Sequence, residues 1–146
     1  MDNNATSLNH IAIAVTDLDA ALVFYRDVLG LRLDRVEEVK EEKSRVAFLP
    51  LGNSEIELVQ PTADDTGVAK WLARHGPGMH HVAIQVKDIV AAMERLKSNQ
   101  VELINLEPRR KSDGTLYAFI HPRSAFGVLI ELYQSPISNL SVQGGL

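Results

Sequence analysis

The stretch HIAIAVTDLDAA, residues His10–Ala21, returns 71 positions later as HVAIQVKDIVAA, residues His81–Ala92. Residue classes agree at almost every position. A second pair, IELVQ (Ile56–Gln60) and IELYQ (Ile130–Gln134), recurs at an offset of 74. Two blocks in the same order at nearly the same offset predict an internal duplication. The three residues gained between them are expected in the polar loop Arg109–Thr115.

Each copy reads alike. Leu8–Val15 alternates and is β-branched, the pattern of a strand. Asp17 is placed to cap a helix over Leu18–Leu29, and Gly30 suits the position that ends it. Strands are predicted near Leu31–Val39, Arg45–Leu51 and Glu55–Val59. The second copy repeats this: a strand at Met79–Val86, an Asp88 cap, a helix over Ile89–Ser98, and strands near Val101–Ile104, Leu116–Ile120 and Val128–Tyr133. A short capped helix is expected over 65–76. The predicted fold is α+β, two tandem βαβββ modules whose sheets curl around a shared metal-binding cleft. One domain covers 8–134, with module one at 8–61, a linker helix at 65–76, module two at 79–134, and tails at 1–7 and 135–146.

Alternation decides where side chains point. Ile11, Ile13 and Val15 share the face expected to pack on the helix, which leaves His10, Ala12 and Ala14 to the cleft. His81, Ala83 and Gln85 are placed likewise. Glu55, Glu57 and Val59 share one face, as do Leu129, Glu131 and Tyr133. Taken singly, a strand histidine is more often structural and a strand glutamate more often faces water. Here His10, Glu57, His81 and Glu131 hold paired positions, and a buried carboxylate needs a partner or a cation. Two imidazoles and two carboxylates suit a divalent ion such as cobalt, nickel, manganese, iron or zinc.

Composition narrows the field. The 146 residues contain no cysteine, which excludes disulfides, thiolate metal sites and cysteine nucleophiles. A net charge of −4 offers no general attraction to nucleic acid or acidic membranes. No apolar run approaches a bilayer span, and Met1–Ser7 is polar, so a cytoplasmic location is expected. Arg109-Arg110-Lys111 is the one basic run, either an anion contact or a solvated loop.

On these residues the chain resembles the vicinal oxygen chelate superfamily, which includes glyoxalase I and extradiol dioxygenases. That superfamily pairs βαβββ modules and draws one His and one Glu or Gln from each; His10, Glu57, His81 and Glu131 fall on those positions. Within it the chain is most similar to the methylmalonyl-CoA epimerase family. LNHIAIAV (8–15), VAKWL (68–72) running into GMHHVA (78–83), and HPRS (121–124) followed by GVLIEL (127–132) carry the likeness, which spans about 8–134.

The resemblance implies a metal-dependent epimerase that interconverts the two C2 epimers of a methylmalonyl thioester of coenzyme A through a metal-stabilised enolate. The expected ion is cobalt, with nickel, manganese or zinc as alternatives, and the expected assembly is a homodimer. Glu131 would be acid–base as well as ligand. Some members carry a second catalytic glutamate on the strand before the Glu57 strand, but the matching window, Ser44–Phe48, has no carboxylate, and Val46 is its closest counterpart. Glu55, on the Glu57 face, is the candidate substitute, with a water as another and Glu41 and Glu42 assigned to a solvated loop. His80 is expected to point away from His81 and to be structural, and His75 to cap a helix or face solvent. The His121–Ser124 turn is either a substrate border or a plain turn. Arg109–Lys111 would be where coenzyme A phosphates bind, if anywhere. The rival functions are a glyoxalase I-type lactoylglutathione lyase and a non-enzymatic small-molecule binder.

Overall fold

Two compact units are built from one chain in the computed structural model, which describes residues 4–136: one is 10–81, the other 82–136 together with 4–9. The first strand, β1 (Ala5–Ala14), contributes its second half to the first unit. There it is followed by helix α1 (Leu18–Leu22), which runs on as a π-helical turn over Val23–Val28, and by β2 (Arg35–Val39), β3 (Ser44–Leu51), β4 (Ser54–Pro61) and helix α2 (Gly67–His75). The strands lie in the order β2-β3-β4-β1, with β1 parallel to β4 and the other pairs antiparallel.

The alternation in β1 sorts its side chains as the sequence predicts. Val15 and Ile13 join Leu18 and Leu22 of α1 and Ala47, Leu49 and Leu58 of the sheet in one core. Ala12 packs instead with Val46 and Val59, backed by Phe48 and by Val68 of α2. Asp17 Oδ1 accepts the Ala20 N–H at 3.1 Å, and Gln60 Oε1 accepts the Leu18 N–H at 2.7 Å. Two of the orphan donors at the helix start are thereby satisfied.

The second unit takes β5 (Gly78–Val86) from Val82 onward, then helix α3 (Ile89–Ser98), β6 (Arg109–Arg110), β7 (Leu116–Ile120) and β8 (Ile130–Gln134), ordered β5-β8-β7-β6. Its core joins Ile89 and Met93 of α3 to Val86, Leu103, Ala118, Ile120 and Leu132. The helix start repeats the first unit: Asp88 Oδ1 accepts from Ala91 N–H at 3.0 Å, and Gln134 Oε1 from Ile89 N–H at 2.7 Å. Strand registers repeat too. Ala12 is paired with Glu57 across β1 and β4, and Ala83 with Glu131 across β5 and β8.

The structure departs from expectation in five places. The three extra residues of the second copy do not lie in Arg109–Thr115. Phe48 is paired with Glu57 and Phe119 with Glu131; the phenylalanines are 71 apart and the glutamates 74. The gain therefore falls in the connection 121–129, around the 3₁₀ turn Pro122–Ser124.

Val101–Ile104 is not a strand. It makes one bridge, Leu103 with Ile120, and then the Asn105 side chain takes the Phe119 N–H at 2.8 Å in place of a backbone carbonyl. Strand β2 begins at Arg35 rather than Leu31, because Leu31 and Leu33 turn into the α1 core. The helix predicted to Leu29 changes to π geometry after Leu22, and Gly30, at φ +89°, ends it as expected.

Strand β1 starts at Ala5, inside the expected tail 1–7. Asn4 explains this: its Oδ1 accepts the N–H groups of Lys87 and Asp88, both at 2.9 Å, and ties the strand start down. Of the other expected tail, 137–146 lies outside the described residues.

Candidate metal centre

His10 and His81 both belong to the first unit. His10, at 3% exposure, is among the most buried polar residues described. Its two ring nitrogens have different neighbours. Nδ1 lies 3.0 Å from Glu57 Oε2. An ionised carboxylate only accepts, so this contact places the proton on Nδ1 and leaves Nε2 its lone pair. That Nε2 stands 3.3 Å from His81 Nε2. Two imidazole nitrogens, each about 2.1 Å from one ion and subtending about 100° there, would be about 3.2 Å apart. The pair therefore fits neighbouring positions on a single cation, and a carboxylate behind one ring is the arrangement that orients metal-binding histidines.

Local structure explains the convergence. His10 and Glu55 are register partners across β1 and β4, with Ala12 and Glu57 next but one along. Ala12, on the same face as His10 and Glu57, packs with Val46 and Val59 in a small apolar cluster. Glu55 is half-buried, and its carboxyl is pushed up to about 7. Burial is the largest cause, followed by a hydrogen bond to Glu57 and repulsion from its charge. Glu55 therefore keeps its proton to a higher pH than an ordinary carboxyl does.

His80 overturns its expectation. Its Nδ1 lies 2.9 Å from His81 Nδ1, so the imidazoles of two consecutive strand residues meet edge to edge. Trp71 of α2 packs against His80 at 5.4 Å between ring centroids. Burial holds the His80 imidazole below its ordinary pKa. Strand alternation could not reveal this contact. The sequence signal that bears on it is the linker VAKWL, which brings Trp71 to the start of β5.

The remaining candidates are placed as follows. Glu131 lies in the second unit, buried on β8. Val46, the counterpart of the missing glutamate, is buried core. His75 stacks on Trp71 at 4.8 Å, its Nδ1 3.1 Å from the Trp71 carbonyl. The His121–Ser124 turn has structural contacts: His121 Nδ1 accepts from Arg123 N–H at 3.0 Å, and Ser124 Oγ from Glu102 N–H at 2.9 Å. Arg109 and Arg110 are exposed on β6, and Lys111 sits over the rings of Tyr117 and Tyr133, 5.4 Å from each. Sequence reasoning gave no role to Gln60 and Gln134, although the repeat already paired them.

Residues 9–119 match the family model described as the glyoxalase/bleomycin resistance protein/dioxygenase superfamily. The chain belongs to this superfamily. Within the superfamily it is methylmalonyl-CoA epimerase-like. The mitochondrial methylmalonyl-CoA epimerase of Mus musculus is 40% identical over 88% of this chain and 72% of its own. A hypothetical protein from Bacillus halodurans superposes with a TM-score of 0.85 at 41% identity, covering 89% of this chain and 94% of that one. A methylmalonyl-CoA epimerase solved with methylmalonyl-CoA and ammonium gives 0.82 at 38% identity, covering 90% and 95%. The lactoylglutathione lyase of Haemophilus influenzae is 34% identical over 94% of this chain and 96% of its own. For this superfamily member, His10 and His81 are a candidate pair of ligands for one divalent metal ion. No helix among the described residues is long and apolar enough to cross a membrane.

Proposed function

We propose that this superfamily member is a metal-dependent epimerase that interconverts the two C2 epimers of methylmalonyl-CoA. The observation that carries the proposal is the pair of imidazole Nε2 atoms 3.3 Å apart, with Glu57 behind His10, in a chain 38% identical to an epimerase solved with methylmalonyl-CoA. His10, His81 and Glu131 are the proposed ligands; Glu57, the fourth expected ligand, is proposed to hold the His10 ring at Nδ1 instead. Support for Glu131 comes from its register, paired with Ala83 as Glu57 is with Ala12. Cobalt is the proposed ion, with nickel, manganese or zinc able to serve.

The ion, when bound, supplies Lewis-acid stabilisation of negative charge on a chelating substrate's oxygens. The protein's own groups handle the proton. Epimerisation removes it from one face of C2 and returns it to the other, so two acid–base groups are needed. Glu131 is the proposed first. Glu55 is the proposed second, supported by its half-buried position beside Glu57 and a carboxyl that exchanges its proton near neutral pH. A homodimer and a cytoplasmic setting complete the proposal. The apolar surface left by Val23, Phe24, Val28 and Leu29 favours the homodimer.

The test is proton exchange at C2 in deuterated water, followed by NMR on protein stripped and reloaded with each metal. Exchange with epimer interconversion is the expected result. Wild-type protein that exchanges nothing with any of these ions but turns over the glutathione hemithioacetal belongs with the lactoylglutathione lyases. Saturable thioester binding without turnover of either substrate would mark a non-enzymatic binder.

A further inference from the structure

We infer that His80 is a positioning residue that sets the protonation and aim of His81. The inference rests on the proposal that His81 binds the metal through Nε2. Each of the two facing imidazoles has a partner on its far edge. For His10 it is Glu57, 3.0 Å from Nδ1; for His81 it is His80, with the two Nδ1 atoms 2.9 Å apart. Two nitrogens at that distance hydrogen-bond only if one carries the proton and the other the lone pair. A His81 that offers Nε2 to a cation must carry its own proton on Nδ1. His80 therefore accepts at Nδ1 and is protonated at Nε2.

The surroundings of His80 keep it in place for this. Trp71 packs edge-to-face on its ring at 79° between planes. Trp71 also closes over the start of β5, where a Cβ on Gly78 would come within 3.5 Å of its ring. His80 is thus clamped between α2 and β5, with its δ edge turned to His81. A ring used only as packing would need no nitrogen on that edge. The contact also couples α2, through Trp71 and His80, to the direction in which His81 presents its lone pair.

The experiment uses zinc as a diamagnetic probe. Long-range proton–nitrogen NMR of the zinc-loaded wild-type protein should find His81 protonated at Nδ1 and His80 at Nε2. A His80 protonated at Nδ1 overturns the inference without any variant. His80→Leu keeps apolar bulk against Trp71 but removes the acceptor. It should weaken zinc binding ten- to a hundredfold, the usual effect of losing a partner that orients a ligand, read by competition with a chromophoric chelator. His80→Asn places an amide oxygen near the Nδ1 position and should restore affinity to within a few fold. Equal affinity for wild type and His80→Leu, or equal losses in the Leu and Asn variants, refutes the positioning role. His81→Ala separates the two levels: if it leaves zinc affinity unchanged, the metal assignment itself fails.

Discussion

Glu131 is the residue on which the proposed chemistry turns. As the proposed acid–base group and ligand together, it would have two functions that one substitution can separate. An amide at position 131 still offers an oxygen to a cation but cannot take a proton. Glu131→Gln should retain metal, more weakly, while C2 exchange falls by about a hundredfold or more, the usual scale for a lost general base. Glu55→Gln asks a different question. If Glu55 serves one face of C2, exchange from one epimer should outlast epimerisation; unimpaired epimerisation in the variant removes Glu55 from the mechanism.

Glu55 also predicts a pH dependence in metal-free protein. Its carboxyl is raised from 4.5 to about 7, so the folded state holds the proton more tightly than the unfolded chain. Its contribution to stability is complete below about 4.5 and declines as pH rises to about 7, above which it is flat. Denaturant midpoints across that window should fall with pH in the metal-free wild type and fall less in Glu55→Gln. An unchanged slope in the variant would assign the titration elsewhere. How much of this site was legible beforehand varies by residue. The paired strand positions singled out His10, His81 and Glu57, which the structure brings together, because alternation and duplication are backbone properties. The His80 contact was not legible, because it depends on side-chain torsions that bring neighbours from opposite strand faces together.

At the scale of elements, the two helix starts are matched experiments in one molecule. Asp17 and Gln60 serve α1 as Asp88 and Gln134 serve α3. Alanine at either aspartate should cost about 1 kcal/mol, the usual loss for an N-cap. Gln60→Ala and Gln134→Ala should each cost about 1 kcal/mol, and the two should agree within a few tenths, since both remove a 2.7 Å bond to the first helical N–H. Urea unfolding of the four variants measures this; a twofold disagreement between equivalent positions would show that the likeness of the two ends is only geometric. The sequence made the aspartates plain because N-caps are local. The glutamines lie 42 and 45 residues from the N–H groups they reach, a distance local patterns do not encode. The same limit explains Val101–Ile104. Its apolar residues look like a strand, but the Asn105 side chain replaces the backbone partner that would have extended the ladder.

For the molecule as a whole, the modules proposed at 8–61 and 79–134 should be stabilised together by whatever ion the site prefers. Free metal at a hundred times its dissociation constant adds about 2.7 kcal/mol to the folded state. For a chain of this length that corresponds to roughly 5–10 °C in the midpoint of thermal unfolding. Calorimetry with and without a chelator should show the shift, and His10→Ala should abolish it. A shift that survives in His10→Ala would place the ion elsewhere. The overall architecture was the most legible level, because a duplication repeats its evidence. The location of the three gained residues was not. Two aligned blocks bracket an insertion without locating it, and only the pairing of Phe119 with Glu131 put it in 121–129.

The π turn after α1 has a consequence of its own. Eleven residues, Leu18–Val28, form the helical segment in one unit, and ten, Ile89–Ser98, in the other. The Leu29 N–H reaches back to the Phe24 carbonyl at 2.7 Å, one residue further than an α-helical bond. Such a turn is slack wound into the helix: it absorbs one residue without moving what lies beyond it. Shortening the chain by one should therefore be tolerated here and nowhere else in the two helical segments. Deleting exposed Asp27 should let the turn tighten to α geometry with Leu31 and Leu33 still reaching the core. Deleting exposed Glu94 from α3, which has no slack, should swing Leu96 by about 100° off its packing face. The first deletion should leave cooperative unfolding with a midpoint near wild type, and the second should lower it severely. The reverse order would mean that the π turn is under tension and holds its length for another reason.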